Sequence, residues 1–404
     1  MKQKQKNIKV LFVSARLPFP ALEGHQIRAY GLIKELAAFT ELHLLSILRP
    51  GETIDIHNEL GMQCESMTGV QLSEGFVGNI KAGLRSIVSS LPLVVCKYVS
   101  PGLKKAFAIQ LKKINPDIVH LDLLTLFELY HLIPDGIKVV LNEHNVESDL
   151  ILQKIETLSS PLEKLIYKRE YRLLRKFEEN ACSTVNTVLA CSDQDQESIR
   201  KFGAQDVWTI PNGVDTLELV PVETQFEIND LIFLGGMGWY PNRLGIEWFI
   251  KEVLPKLVKD NSSIHLHLIG NPEPLVPIPE QLVKYVTKHG FVDDFRPYVA
   301  ASSIMIVPLH VGSGTRLKVV EGASLGKCIV STQKGAQGVM LEHGKEIIFA
   351  DTAEDFSQAI LNLQKSRDEI IRIGRNARIV AEETYDWRAI GKKLKNIYGT
   401  PAYK

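Results

Sequence analysis

SIMIVPLHVGSGTRLKVVEGASLGKCIVST, residues 303–332, reads as an apolar run, a glycine-bearing turn, a helical stretch and a second apolar run. Apolar runs of this length, rich in β-branched residues and bounded by turn signals, are strands buried on both faces. Two such strands joined through a helix lie parallel in one sheet. Gly312 and Gly314 permit a tight turn that leaves backbone N–H groups free at the helix start, where the dipole favours an anion. Thr315 adds a hydroxyl, Arg316 and Lys318 add two cations, and Glu321 follows on the helix. The expected guest is a phosphate, with the carboxylate suited to a ribose diol. A dinucleotide fingerprint is excluded because Leu317 occupies its third glycine position, and the GxxxxGK[ST] phosphate loop is absent.

The same alternation runs through the chain. IKVLFVSA, a helix near 25–39, LHLLSIL, basic helices, DIVHLDLL, KVVLNEHNV, a long charged helix over 155–182, TVLACS and VWTIPNG make one series. After a Pro-, Glu- and Thr-containing stretch near 211–227 it restarts with LIFLGGM, a helix over 243–258, IHLHLIG, HGFV, SIMIVPL, CIVST and EIIFA. The fold class is therefore α/β, with two Rossmann-like doubly wound parallel sheets. The expected domains are 1–213 and 214–385, with a last helix over 386–404. Open sheets of this kind bind ligands at the carboxyl ends of their strands, and two of them facing one another make a cleft.

The 404 residues carry 47 Lys and Arg against 47 Asp and Glu, so no whole-molecule field draws the chain to nucleic acid. Its five cysteines are scattered without metal-ligand spacing and are read as reduced thiols of a cytoplasmic protein. No stretch approaches the roughly 18 apolar residues of a membrane span. The stretch 81–113 carries Lys81, Arg85, Lys97, Lys104, Lys105, Lys112 and Lys113 and no acid. It fits either peripheral contact with the inner face of a membrane or a solvated helix face.

Candidate chemistry sits on strand ends. Gly24 opens a helix after the first strand and Arg28 lies one turn inside it, a second anion-type helix start or a simple cap. DIVHLDLL ends in His120 and Asp122, which share a strand face, and LNEHNVES supplies Glu143, His144, Asn145 and Glu147. Asp193 and Asp195 have the spacing of a metal-binding DxD. They are better explained as acids in the first turn of a helix capped by Ser192.

Taken together, LIFLGGMGWYPNRLGIEWFIKEVLPKL (231–257), LIGNPEP (268–274) and the stretch 289–339, with PFPALEGHQIRAYGLIKELA (18–37), resemble glycosyltransferase family 4. These are retaining enzymes of the GT-B fold, and the likeness is to bacterial sugar transferases of polysaccharide biosynthesis. The resemblance implies a nucleoside-diphosphate sugar donor of UDP or GDP type and a glycan or lipid-linked acceptor. It implies transfer without a metal or other cofactor. Gly24, Gly312, Gly314, Thr315, Arg316 and Lys318 would then lie near the diphosphate, and Glu321 on the ribose. Asp122 would approach the reacting sugar, with His144 beside it, and the last helix would cross back onto the first domain. Ser313 stands where the family commonly has the first of two glutamates, and Glu23 where a second glycine is common. Asn242 and Arg243 replace an Arg and Lys pair. A sugar-nucleotide epimerase and a non-catalytic nucleotide-binding scaffold are the alternatives.

Overall fold

The computed structural model describes residues 8–21, 23–72, 76–222, 225–312 and 316–399. Among them, seven strands form one sheet: β1 (Ile8–Ser14), β2 (Thr40–Leu48), β3 (Ser66–Gln71), β4 (Ile118–Asp122), β5 (Lys138–Asn142), β6 (Thr187–Ala190) and β7 (Val207–Thr209). Six form another: β8 (Glu227–Leu234), β9 (His265–Ile269), β10 (Val286–Gly290), β11 (Ser302–Val307), β12 (Cys328–Ser331) and β13 (Ile348–Phe349). The orders are β3-β2-β1-β4-β5-β6-β7 and β10-β9-β8-β11-β12-β13, and every paired strand is parallel. Both are doubly wound parallel sheets of an α/β protein.

Burial follows strand position. Every residue of β4, β5, β11 and β12 is buried, as expected of central strands covered by helices on both faces. The edge strands β3 and β10 are half-exposed. β3, SMTGVQ, lacks a continuous apolar run, and sequence reading passes over it for that reason. β10 starts a few residues before the HGFV segment expected to form it and ends at that segment's His289 and Gly290.

The chain divides into two compact units, Met1–Pro211 with Ile390–Lys404, and Asn212–Ala389. The long charged helix expected over 155–182 is two helices, Glu147–Thr157 and Pro161–Thr184. Pro161 explains the break, since proline cannot continue an existing helix but suits the first position of a new one. Ser160 caps that position by accepting from the Glu163 N–H. Leu174, Phe177, Ala181 and Cys182 anchor the second half of the longer helix in the core.

The last helix, Trp387–Gly399, belongs to the first unit from Ile390 onward. Its Tyr398 phenol lies 2.5 Å from His120 Nδ1, and the Ile397 carbonyl accepts from Lys138 Nζ at 2.6 Å. His120, fully buried, stacks on Phe12 with ring centroids 4.0 Å apart.

In both sheets the strand order reverses, between β1 and β4 and between β8 and β11. Loops leaving adjacent strands there run to opposite faces and open a crevice at the carboxyl ends. The segments leaving β1, β4, β8 and β11 carry Gly24, Asp122, Asn242 and Lys318.

Candidate functional site

In the second unit the loop after β8 and the helix after β11 meet. Lys318 Nζ donates to Asn242 Oδ1 at 2.5 Å, and Asn242 Nδ2 donates back to the Gly236 carbonyl at 2.9 Å. Gly235 makes this approach possible. Its φ is +142°, and a Cβ there would stand 2.5 Å from Asn242 Nδ2 and 2.9 Å from Lys318 Nζ. No other residue fits that position without displacing both side chains.

Three cations converge on the corner. Burial pulls the Lys318 ammonium down to about 7, with Glu321 opposing the shift and Arg316 adding to it. Burial also pulls Arg316 down to about 10. Lys334, following β12, is lowered by burial and by Arg316, whose Nε lies 3.4 Å from the Lys334 carbonyl. Lys318 lies 4.5 Å from the Phe233 ring centroid and 5.7 Å from that of Trp239. Desolvated like charges held together in this way favour a bound polyanion.

Glu321, one turn after Lys318, has a carboxyl raised by burial against the pull of Lys318. Its carboxylate has no hydrogen-bond partner among the described residues. Gly312 has φ +107°, and a Cβ there would stand 3.1 Å from the Arg316 guanidinium. Gly314 and Thr315 lie outside the described residues. Arg243 is turned along its own helix toward Glu247, at 3.8 Å.

In the first unit a buried polar network occupies the carboxyl ends of β1, β4 and β5. Asp122 Oδ1 accepts from Asn142 Nδ2 at 2.7 Å and faces His144 Nε2 at 2.8 Å, while its Oδ2 accepts from Ser14 Oγ at 3.1 Å. Burial opposes ionisation of Asp122, but His144 at hydrogen-bond distance, and then the neighbouring His120 ring, outweigh it. The carboxyl is held well below the usual carboxylate range. An ionised Asp122 accepts only, so the His144 Nε2 that faces it is assigned a proton.

Arg28 requires a correction. It is 1% exposed, and its guanidinium donates to Asn142 Oδ1 through Nε at 3.1 Å and Nη2 at 2.7 Å, and to the Ile210 carbonyl through Nη1 at 2.7 Å. One turn into its helix the side chain points to the sheet, so Arg28 fixes Asn142 instead of meeting a phosphate directly. Gly24, by contrast, is the exposed first residue of that helix, Gly24–Ala37.

The polar cluster after β5 splits by strand alternation. Asn142 and His144 join Asp122, whereas Glu143 turns away, and neither of its buried carboxyl oxygens has a hydrogen-bond partner. Burial, then Glu178, Glu147 and Asp195, push the Glu143 carboxyl well up; burial and Glu178 push Glu147 up to about 7. Asp193 and Asp195 form a helix start. Ser192 Oγ accepts from the Asp195 N–H at 3.1 Å and donates to Asp195 Oδ2 at 2.7 Å.

Sequence reading passed over Lys334 and His25, the second residue of the helix Gly24–Ala37. His25 is lowered to about 4 by burial and by Arg16, with weaker influences from Glu23, His144 and Asp122. A single lysine in a loop carries no pattern, but its place just past a strand end was a usable signal.

A curated relative from Klebsiella pneumoniae, an uncharacterized 44.6 kDa protein in the cps region, is 22% identical over 397 residues, 95% of this chain and 97% of that one. Sucrose-phosphate synthase from Thermosynechococcus elongatus shares the fold with a TM-score of 0.69 and 15% identity, over 97% of this chain and 98% of its own. Anabaena HepE, solved in complex with UDP, gives 0.64 and 13% over 97% and 100%. The family model for Glycosyltransferase Family 4 matches residues 69–217, and that for Glycosyl transferases group 1 matches residues 228–366. With both halves of the chain so matched, the protein belongs to the family 4, group 1 glycosyltransferases and is an enzyme of glycosyl transfer.

Proposed function

We propose that the protein transfers a sugar, with retention at the anomeric carbon, from a nucleoside-diphosphate sugar to a glycan or lipid-linked acceptor in the making of a cell-surface polysaccharide. The observation that carries this reading is the Lys318 corner, where a desolvated ammonium, Arg316 and Lys334 gather one turn from the Glu321 carboxyl, which has no hydrogen-bond partner among the described residues. Cations on one side and a diol acceptor on the other match a nucleoside diphosphate end to end.

In the reaction the bond from the anomeric carbon to the diphosphate oxygen breaks, and the acceptor hydroxyl oxygen takes its place. The hydroxyl proton passes to the departing phosphate. Negative charge grows on the diphosphate as this happens, and preorganised cations aimed there lower the barrier. Lys318, Arg316 and Lys334 supply that charge from the chain itself, consistent with transfer that needs no metal. In the first unit, Gly24 at an exposed helix start leaves backbone N–H groups suited to an anion. His144, held by Asp122, offers Nδ1 to a sugar hydroxyl, and Arg28 acts through Asn142 to keep Asp122 and His144 in place.

HepE is solved with UDP, which favours a uridine nucleotide here. Incubating the protein with UDP- and GDP-sugars and glycan acceptors, with chelator in a parallel arm, tests the reading. The product should keep the donor's anomeric configuration by NMR, and chelator should leave the rate unchanged. An inverted product, or strict dependence on magnesium or manganese, would refute the corresponding part.

A further inference from the structure

The helix Phe76–Ser89 turns an apolar stripe outward. Ile80, Leu84, Ile87 and Val88 recur at the spacing of one helical face, and all four are exposed, Ile87 at 69% and Val88 at 86%. Ala82 and Ser86, on the side facing the protein, are buried. A helix covering a soluble core shows the reverse pattern, so this stripe is without a partner among the described residues.

A second helix joins it. Arg169 donates to the Ser86 carbonyl at 3.0 Å and to Ser86 Oγ at 3.3 Å, and Glu170 accepts from the Leu93 N–H at 2.8 Å. About one turn earlier on that helix, Leu165 and Ile166 are exposed at 67% and 53%, and Leu162, a turn before them, at 67%. Within a turn or two of one joint, two helices therefore offer bulky apolar side chains to solvent. The charge on the same elements is mainly positive. No acid occurs from Phe76 to Pro116, and Lys81, Lys168 and Arg172 are exposed.

We infer that this two-helix ridge seats the protein on an anionic lipid bilayer. Apolar side chains enter the boundary between headgroups and acyl chains, and the cations remain among anionic headgroups; surface binding of this type needs both contributions. A second copy of the chain is the poorer occupant. A two-fold interface would set the same cations against one another, whereas lipid phosphates neutralise them. The basic segment 81–113 as a whole is not the docking element. Its helix Pro101–Ile114 buries Leu103, Phe107, Leu111 and Ile114 in the sheet core and exposes Lys105, Lys112 and Lys113 with one large apolar side chain, Ile109, so it has no apolar stripe. The inference stands independently of which sugar or acceptor the enzyme uses.

Co-sedimentation with vesicles tests it, using phosphatidylcholine alone and phosphatidylcholine containing one-third phosphatidylglycerol. The wild-type chain should pellet with the anionic vesicles, less so at high salt, and little with the neutral ones. The double variant Leu84→Asp, Val88→Asp should bind the anionic vesicles at least ~10-fold more weakly. Its melting temperature and its response to UDP should match wild type, which separates loss of docking from loss of the donor site. Should that variant misfold, Leu165→Asp on the second helix gives the same comparison. A wild-type chain that stays in the supernatant would overturn the inference. So would equal binding to neutral vesicles, or a solution dimer that Leu84→Asp, Val88→Asp converts to monomer.

Discussion

Tyr398 and His120, 278 positions apart, are joined by a 2.5 Å contact between the phenol oxygen and imidazole Nδ1, inside a core where both rings are at most 1% exposed. The last helix is thereby keyed to the strand that ends in Asp122. Burial lowers the His120 pKa, so the ring is neutral there, and its Nδ1 pairs with a hydroxyl that can donate or accept. Tyr398→Phe removes the hydroxyl and should cost about 1 kcal/mol in urea unfolding. A variant equal to wild type would show that the contact does not hold the helix.

Asp122 accepts from three elements at once. Asp122→Ala leaves Asn142 and His144 without this acceptor in a buried setting and should destabilise the protein by about 3 kcal/mol. Asp122→Asn keeps the shape but loses the charge. Its Asn142 and His144 partners then compete with an amide that can also donate, and transfer should fall at least ~10-fold while the fold persists. Unchanged turnover in a folded Asp122→Asn variant would remove Asp122 from the reacting site.

Glu147 gives a pH signature. Its folded pKa, about 7, lies above the unfolded value, so between about 4.5 and 7 the native state binds more protons than the unfolded chain and stability falls as pH rises. Glu147→Gln abolishes that contribution. The melting temperature of the variant relative to wild type should rise across this window and level off above it. A constant difference from pH 4.5 to 8 would contradict the assignment.

Lys318 gives another. At pH 8 an ammonium with a pKa of about 7 is largely neutral, and a bound diphosphate restores its charge. Nucleotide binding at pH 8 should therefore take up close to one proton, measured as the dependence of calorimetric heat on buffer ionisation enthalpy. Affinity should weaken from pH 7 toward 10. Lys318→Met should lose the uptake, and a wild-type protein showing none would refute the ligand-linked ammonium.

Both doubly wound sheets were legible because central strands buried on two faces must be continuous apolar runs, and the helices between them follow another period. β3 escaped because an edge strand needs only half of that signal. At the site, Gly312, Lys318 and Glu321 stood out because the glycine turn, the cation and the carboxylate are close in sequence. Asn142 as the hub between Arg28 and Asp122, and Tyr398 on His120, depend on contacts 114 and 278 residues apart, which no local pattern encodes. Arg28 was misread for a related reason. A cation near a helix start looks alike whether it turns to a ligand or to the sheet.

Thermal shift with UDP, GDP, TDP and ADP, on wild type and on Lys318→Ala and Glu321→Ala, bears on the whole reading, because a ligand that binds only the native state raises its apparent stability. One nucleotide, expected to be UDP, should raise the wild-type melting temperature by several degrees, and both variants should melt unshifted while remaining folded. No shift with any nucleotide, or an equal shift in the two variants, would contradict a donor site at the Lys318 corner.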